Sequence, residues 1–175
     1  MDGKNRPISD FDNQKWVDRA WPDDSARIPD WIYTDQDVYE RELEKIFLGR
    51  HWNYVGMECE VPEPGNYMRS YVGPFPVVVT RDMEGSLHVF ENRCAHRGVE
   101  FCREYRGTAN SFICPYHNWT YDLKGNLNAV PFRRGLGGKG GLPRDFDMAK
   151  FGLRRFSVAT RGGVIFACLL YTSDA

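Results

Sequence analysis

Two short segments, each holding one cysteine and one histidine, constrain this chain more than anything else in it. The first is Cys94-Ala95-His96-Arg97-Gly98; the second is Cys114-Pro115-Tyr116-His117, with residues 97 to 113 between His96 and Cys114. Thiolates and imidazoles are strong ligands for soft and borderline metals, so a matched pair of such segments points to a metal centre. Disulfide bonding is the other common use of cysteine. Here the cysteines number five, at 59, 94, 102, 114 and 168, an odd and widely spaced set. The start, Met1-Asp2-Gly3-Lys4-Asn5-Arg6-Pro7, has no apolar stretch resembling a secretory leader, and both features argue against a disulfide framework.

The spacing separates two metal chemistries. Tetrahedral zinc sites usually take their ligands as Cys-x₂₋₄-Cys and His-x₃₋₅-His. A Cys-x-His segment matched to a Cys-x₂-His segment instead suits a Rieske-type [2Fe–2S] centre, with two Cys on one iron and two His on the other. Two loops facing each other across the cluster supply that set if each gives one ligand of each kind. The predicted ligands are therefore Cys94, His96, Cys114 and His117. Neutral imidazoles in place of two thiolates leave the cluster less negative and easier to reduce, at roughly −150 to +300 mV against about −400 mV for plant-type ferredoxins.

The rest of the composition sets the frame for such a centre. Hydrophobic residues make up 42% and charged residues 27% of 175, the balance of a soluble globular domain. Lys plus Arg is 23 against 24 for Asp plus Glu, so no bulk field favours nucleic acid or an anionic membrane. The longest apolar run, Val164 to Tyr171, is too short to span a bilayer. The expectation is a soluble cytoplasmic protein.

Hydrophobic periodicity divides the chain. Residues 1–30 are polar and interrupted by Pro7, Pro22 and Pro29, with Trp16, Val17, Ala20 and Trp21 at helical spacing. Thr34 or Asp35 is a suitable N-cap, and Val38, Tyr39, Leu43, Ile46 and Phe47 fall on one face of a helix running to Leu48. Beyond Gly49 the period becomes that of strands: Trp52–Val55, Tyr67–Tyr71, Phe75–Arg81, Leu87–Glu91, Ser111–Ile113, Trp119–Leu123, Phe151–Phe156 and Val158–Ala167. Pro76 suits a strand end or an edge. No internal repeat is visible. The Gly-rich basic stretch 133–144 has no strand before it and no Gly-Lys-Ser/Thr helix start after it, so it reads as a connection rather than a phosphate loop. Cys59 and Cys102 are expected as buried or half-buried free thiols, and His51 and His88 as surface or strand residues.

Asn92-Arg93-Cys94-Ala95-His96-Arg97-Gly98 and Cys114-Pro115-Tyr116-His117-Asn118-Trp119-Thr120-Tyr121 resemble the Rieske segment of aromatic-ring-hydroxylating oxygenase large (α) subunits. Ile32-Tyr33-Thr34-Asp35, Glu42 to Phe47, Trp52 to Gly56 and Pro64-Gly65-Asn66-Tyr67 are similar to the segments that precede it in that family. Respiratory-chain Rieske proteins differ by a disulfide across the cluster loops, for which this chain has Val99 and Tyr116. They also carry a serine near a cluster sulfur where this chain has Trp119, so fewer sulfur hydrogen bonds and a low potential are expected. Asn118 stands where the family usually has Gly, and Met57 where many members have His.

The resemblance implies a mostly β Rieske iron–sulfur fold, layered antiparallel sheets with N-terminal helical segments. It divides the chain into a helical arm at 1–50, a Rieske [2Fe–2S] domain at 51–167 and a tail at 168–175 read as non-native. It implies a larger catalytic domain with a mononuclear Fe(II), absent from this sequence, which is expected to be truncated. The implied role is to pass electrons from a reductase or ferredoxin to that iron, which activates O₂, within a homotrimer or an α₃β₃ assembly. Arg97, beside a ligand, is expected to favour the reduced cluster. A free-standing Rieske ferredoxin is the rival, against which the helical region before the strands argues.

Overall fold

In a computed structural model of the chain, residues 26–137 and 139–169 are described; the helical turn expected around Trp16 to Trp21 lies outside them. The chain divides into two compact units, one ending at Arg41 and the other beginning at Glu42. Two short helices, α1 (Trp31–Thr34) and α2 (Gln36–Glu42), are separated by Asp35. Its carboxylate accepts from the backbone N–H groups of Asp37 and Val38, at 2.9 and 3.2 Å, which makes Asp35 the cap of α2. The helix expected from Asp35 to about Leu48 is formed, with its last turn π instead of α. After Glu42 the chain makes a single π turn, Leu43–Phe47, closed by Leu48 N–H on Leu43 O at 2.7 Å. No side chain in these segments is fully buried.

The second unit is almost all β. Its strands are β1 (Asn53–Met57), β2 (Asn66–Val72), β3 (Phe75–Arg81), β4 (Leu87–Glu91), β5 (Arg106–Thr108), β6 (Phe112–Ile113), β7 (Thr120–Tyr121), β8 (Leu127–Ala129), β9 (Arg155–Arg161) and β10 (Val164–Cys168). All pair antiparallel, in a seven-stranded sheet of order β1-β10-β9-β4-β3-β2-β5 and a three-stranded sheet β6-β7-β8. The mostly β architecture expected from the sequence is what forms. The last strand includes Cys168, which is buried, as is Leu169, so the expected boundary at 167 falls one residue inside β10.

The central strand β3 explains how one domain carries two cores. Its run Pro76-Val77-Val78-Val79-Thr80 is buried throughout, so both faces are covered. Val77 and Val79 join Val55, Val61, Met68, Val89, Phe156 and Ile165 in one core. Val78 points the other way, into a second core with Phe90, Phe101, Phe112, Trp119, Tyr121 and Leu127, between the large sheet and the small one. Cys94 and Cys114 lie in that second core. Pro76 sits near the start of β3 opposite Tyr71, a strand end within a central strand.

Two hairpin turns repeat one design. In Asp82-Met83-Glu84-Gly85-Ser86 the Asp82 carboxylate accepts from the N–H groups of Glu84 and Ser86, at 3.0 and 2.8 Å. In Asp122-Leu123-Lys124-Gly125-Asn126 the Asp122 carboxylate accepts from Lys124 and Asn126, at 2.9 and 2.8 Å. The turns face each other, with Lys124 Nζ 2.7 Å from Glu84 and 3.4 Å from the buried Asp82. Thr80 adds a buried bond to Leu123 O at 2.6 Å. These contacts tie the small sheet to the large one.

Candidate metal centre

The two Cys/His loops leave the ends of β4 and β6 and repeat the same backbone pattern. In the first, Cys94 O accepts from Gly98 N at 2.7 Å and Cys94 N donates to Val99 O at 2.9 Å. In the second, Cys114 O accepts from Asn118 N at 2.9 Å and Cys114 N donates to Trp119 O at 2.8 Å. Gly98 and Asn118 therefore hold equivalent positions, and both are left-handed, with φ of 71° and 55°. Asparagine is among the few side-chain-bearing residues that adopt this conformation readily. The departure from glycine at 118 thus leaves the loop backbone unchanged.

The loops separate these four side chains by depth. Cys94 and Cys114 are buried, 3% and 1% exposed, with their thiols facing each other, whereas His96 and His117 lie at the exposed rim. The imidazoles meet with Nδ1 atoms 3.1 Å apart. Two nitrogens on a tetrahedral metal, each about 2.1 Å from it, stand roughly 3.4 Å apart, so this pair fits one metal. Among the described residues no three His, Cys, Asp or Glu side chains gather at one point. Two separate pairs suit a binuclear cluster with a thiolate end and an imidazole end better than a single zinc ion.

Neighbouring side chains brace both pairs. Trp119, 6% exposed, stacks on His96 with ring centroids 4.8 Å apart and planes at 9°. Burial, then the adjacent His117 and Arg97, hold His96 below the ordinary imidazole range, which favours the neutral form a ligand needs. Burial is also the main reason the Cys94 thiol is raised, with the facing Cys114 adding to it. The fully buried Tyr121 places its hydroxyl 3.2 Å from Cys94 Sγ and 3.0 Å from Ala95 N. Because that hydroxyl accepts from Ala95, its own proton is directed to the sulfur.

Asn92, also fully buried, donates to Cys102 O at 2.8 Å and accepts from Cys102 N at 3.0 Å, closing the first loop like a rung of sheet. Sequence reasoning missed both Tyr121 and Asn92. Both were inside the quoted motif, but nothing in their spacing reveals partners across the fold. Against the expectation of fewer sulfur hydrogen bonds, Tyr121 supplies one to Cys94 Sγ.

The remaining candidates take ordinary places. Cys102 is buried, which pushes its thiol up to about 11. Cys59 is exposed on a 3₁₀ turn, contrary to the burial expected for it. His88 lies in β4 with Nε2 2.8 Å from the Asp82 carboxylate, and His51 is exposed ahead of β1. No helix among the described residues is long and apolar enough to cross a membrane.

Residues 51–143 match the family described as Rieske [2Fe-2S] domain. The chain is 51% identical over 155 residues to the large oxygenase component of salicylate 5-hydroxylase from Ralstonia sp, covering 86% of this chain and 37% of that protein. It is 48% identical to the large subunit of anthranilate 1,2-dioxygenase from Burkholderia cepacia, covering 83% and 34%. Among solved structures, naphthalene 1,2-dioxygenase from Rhodococcus sp. bound to indole superposes with a TM-score of 0.73 at 33% identity, over 85% of this chain and 32% of that one. The chain thus spans about a third of the length of these relatives. With its paired loops, its likeness to large oxygenase subunits and its layered antiparallel sheets, the chain belongs to the Rieske [2Fe–2S] domain family.

Proposed function

We propose that this chain is the electron-accepting domain of an aromatic-ring-hydroxylating oxygenase large subunit, with Cys94 and Cys114 on one iron and His96 and His117 on the other. The observation that carries the ligand assignment is the sorting of the four side chains into a buried thiol pair and a rim imidazole pair whose Nδ1 atoms are 3.1 Å apart. The cluster, when bound, takes up and gives back one electron at a time. The residues around it do the rest. Phe101, Phe112, Trp119 and Tyr121 keep water from the thiolate end. Tyr121 offers a proton to Cys94, and Trp119 fixes the plane of His96.

The exposed imidazole rim is the natural exit for the electron. The likeness to oxygenase large subunits over more than four-fifths of this chain supports a mononuclear non-haem iron, in a catalytic domain of the same subunit type, as the acceptor. A reductase or a ferredoxin is the donor, and a trimer, with or without a second subunit type, is the assembly. Residues 1–50 are assigned to the arm and residues 51–167 to the cluster domain.

Iron and acid-labile sulfide analysis together with EPR tests this reading. The expected result is two irons and two sulfides per chain and, once reduced, an average g below that of a four-cysteine ferredoxin. Stoichiometric zinc without sulfide would overturn it.

A further inference from the structure

The two rim imidazoles are held unequally. His96 lies face to face with the buried Trp119, with ring centroids 4.8 Å apart and planes at 9°. His117 meets Tyr116 instead, 4.6 Å away at 37°, and Tyr116 is 60% exposed. Turning the His96 ring about its own bond would drive an edge into the indole. The plane of His96 is therefore only as fixed as the plane of Trp119.

Two phenyl rings fix that indole. Phe146 and Phe151 stand nearly perpendicular to it, at 6.0 Å and 74° and at 5.8 Å and 85°. Edge-to-face contact of this kind is an arrangement that aromatic quadrupoles favour. The two phenyls also stack on each other, 4.6 Å apart at 21°, so they act as one block. The block is tied down at both ends. Arg133, in the cationic loop 133–144 after β8, donates to Phe146 O at 3.0 Å. The Asp147 carboxylate accepts from Ala149 N at 3.0 Å and caps the 3₁₀ turn Met148–Phe151, after which Leu153 N donates to Gly125 O at 2.8 Å. Phe146 and Phe151 are half-buried against the core that holds Cys94 and Cys114. Both lie beyond residue 143, where the match to the Rieske domain family ends.

We propose that Phe146 and Phe151 are positioning residues for the cluster: through Trp119 they set the plane of His96 and leave that of His117 unaffected. The inference rests on the ligand assignment proposed above. Its physical basis is that residues behind a ligand orient it and thereby tune the metal. The angle between an imidazole plane and the metal orbitals governs how much unpaired electron density reaches the ring nitrogen. The two histidine nitrogens should accordingly respond differently when the block is altered.

The test uses the cluster-loaded full chain, ¹⁵N-labelled and reduced, and reads the nitrogen couplings by pulsed EPR. The unaltered chain should show one coupling for each histidine ligand. F146L/F151L keeps both sites apolar but removes the flat rings, so one coupling should shift and broaden while the other stays. F151Y keeps the ring and should show the parent couplings. F156L removes a ring from the other core, where Phe156 is 5% exposed, and should lower stability in urea with both couplings unchanged. If F146L/F151L fails to hold iron, F151L, which keeps Phe146, is read in its place. Unchanged couplings in the leucine variants of a chain with a Rieske EPR signal would overturn the positioning proposal and leave the cluster reading intact. The same shift in F156L would overturn it too, because general loosening would then explain the effect. A chain that carries zinc without sulfide would overturn the cluster reading. The clamp is then read by NMR from the ring protons of His96, whose shifts the indole ring current sets. Those shifts should change in F146L/F151L and stay in F156L, and constancy in both would overturn the clamp.

Discussion

The hydroxyl of Tyr121 stands 3.2 Å from Cys94 Sγ while accepting a bond from the Ala95 N–H, so it is oriented to donate to a thiolate at that sulfur. Such a bond is worth more when the cluster is reduced and more negative. Removing it in Tyr121→Phe should cost the reduced state about 1 kcal/mol, which for one electron is about 40 mV of potential. The shift should be downward. Redox titration by visible absorbance checks it, and an unchanged potential would show that the hydroxyl serves only the backbone.

The four proposed ligands should differ in what their replacement does. Cys94→Ser or Cys114→Ser should abolish the cluster, since one iron loses half of its thiolate ligation. His96→Cys or His117→Cys should keep a cluster at a potential lowered toward about −400 mV, because an anionic donor replaces a neutral one. Iron and sulfide content and EPR of each variant are the measurements. A histidine variant at the parent potential would remove that residue from the ligand set.

The matched left-handed positions set unequal tolerances. At Gly98 a Cβ would meet nothing within 4 Å, so Gly98→Asn should be accepted and reproduce the second loop. Asn118→Gly should be close to neutral, while Asn118→Ala should cost about 1 kcal/mol for the left-handed backbone. Denaturant unfolding followed by loss of cluster absorbance ranks the three.

Asp82 links the fold to pH. Burial alone would raise its carboxyl, but bonds from His88, Ser86 N, Glu84 N and Lys124 outweigh that and hold it down at about 2, against 3.8 unperturbed. Its folded-state value lies below the unfolded one, so its contribution is complete above pH about 4 and is lost as pH falls toward 2. Asp82→Asn should be less stable by roughly 2 kcal/mol at neutral pH, with the gap narrowing below pH 4. Urea unfolding of both proteins across that range reads the difference.

Much of this was legible in the sequence, for identifiable reasons. The run Pro76 to Thr80 is apolar or β-branched without a break, and β3 spans the expected Phe75–Arg81. The two Cys/His segments stood out through residue types with few other uses at that spacing, and the fold brings their side chains together as a thiol pair and an imidazole pair. The strand β5 did not, because Arg106-Gly107-Thr108 has no apolar residue and exists only by pairing with β2. Nor did the change from α to π winding at Leu43, since Leu43, Ile46 and Phe47 keep a helical period that a π turn also satisfies. Tyr121 reads as a strand residue, and its bond to Cys94 spans 27 positions that no local pattern reports.

The chain alone should take up electrons and hydroxylate nothing. It contains four histidines, of which His96 and His117 form the rim pair and His88 is paired with Asp82. Only His51 is left for an iron site that needs two histidines and a carboxylate. A panel of aromatic substrates with NADH, a reductase and O₂ should yield a reduced cluster and no product. Stoichiometric hydroxylated product would show that this chain holds the oxygenating iron.

Glu91 N donates to Arg154 O at 2.8 Å, so β9 begins beside the point where β4 ends. Between these points lie both Cys/His loops, the small sheet and the cationic loop, and only β5 returns to the large sheet, at its far edge on β2. Substitutions there leave the register of β4 against β9 untouched, because that register is set by Val89 opposite Phe156 and Phe90 opposite Arg155. The frame and the redox head are thereby free to diverge at different rates. A lineage could retune its potential by drift in the segments on either side of β5 while the sheet that carries them stays the same.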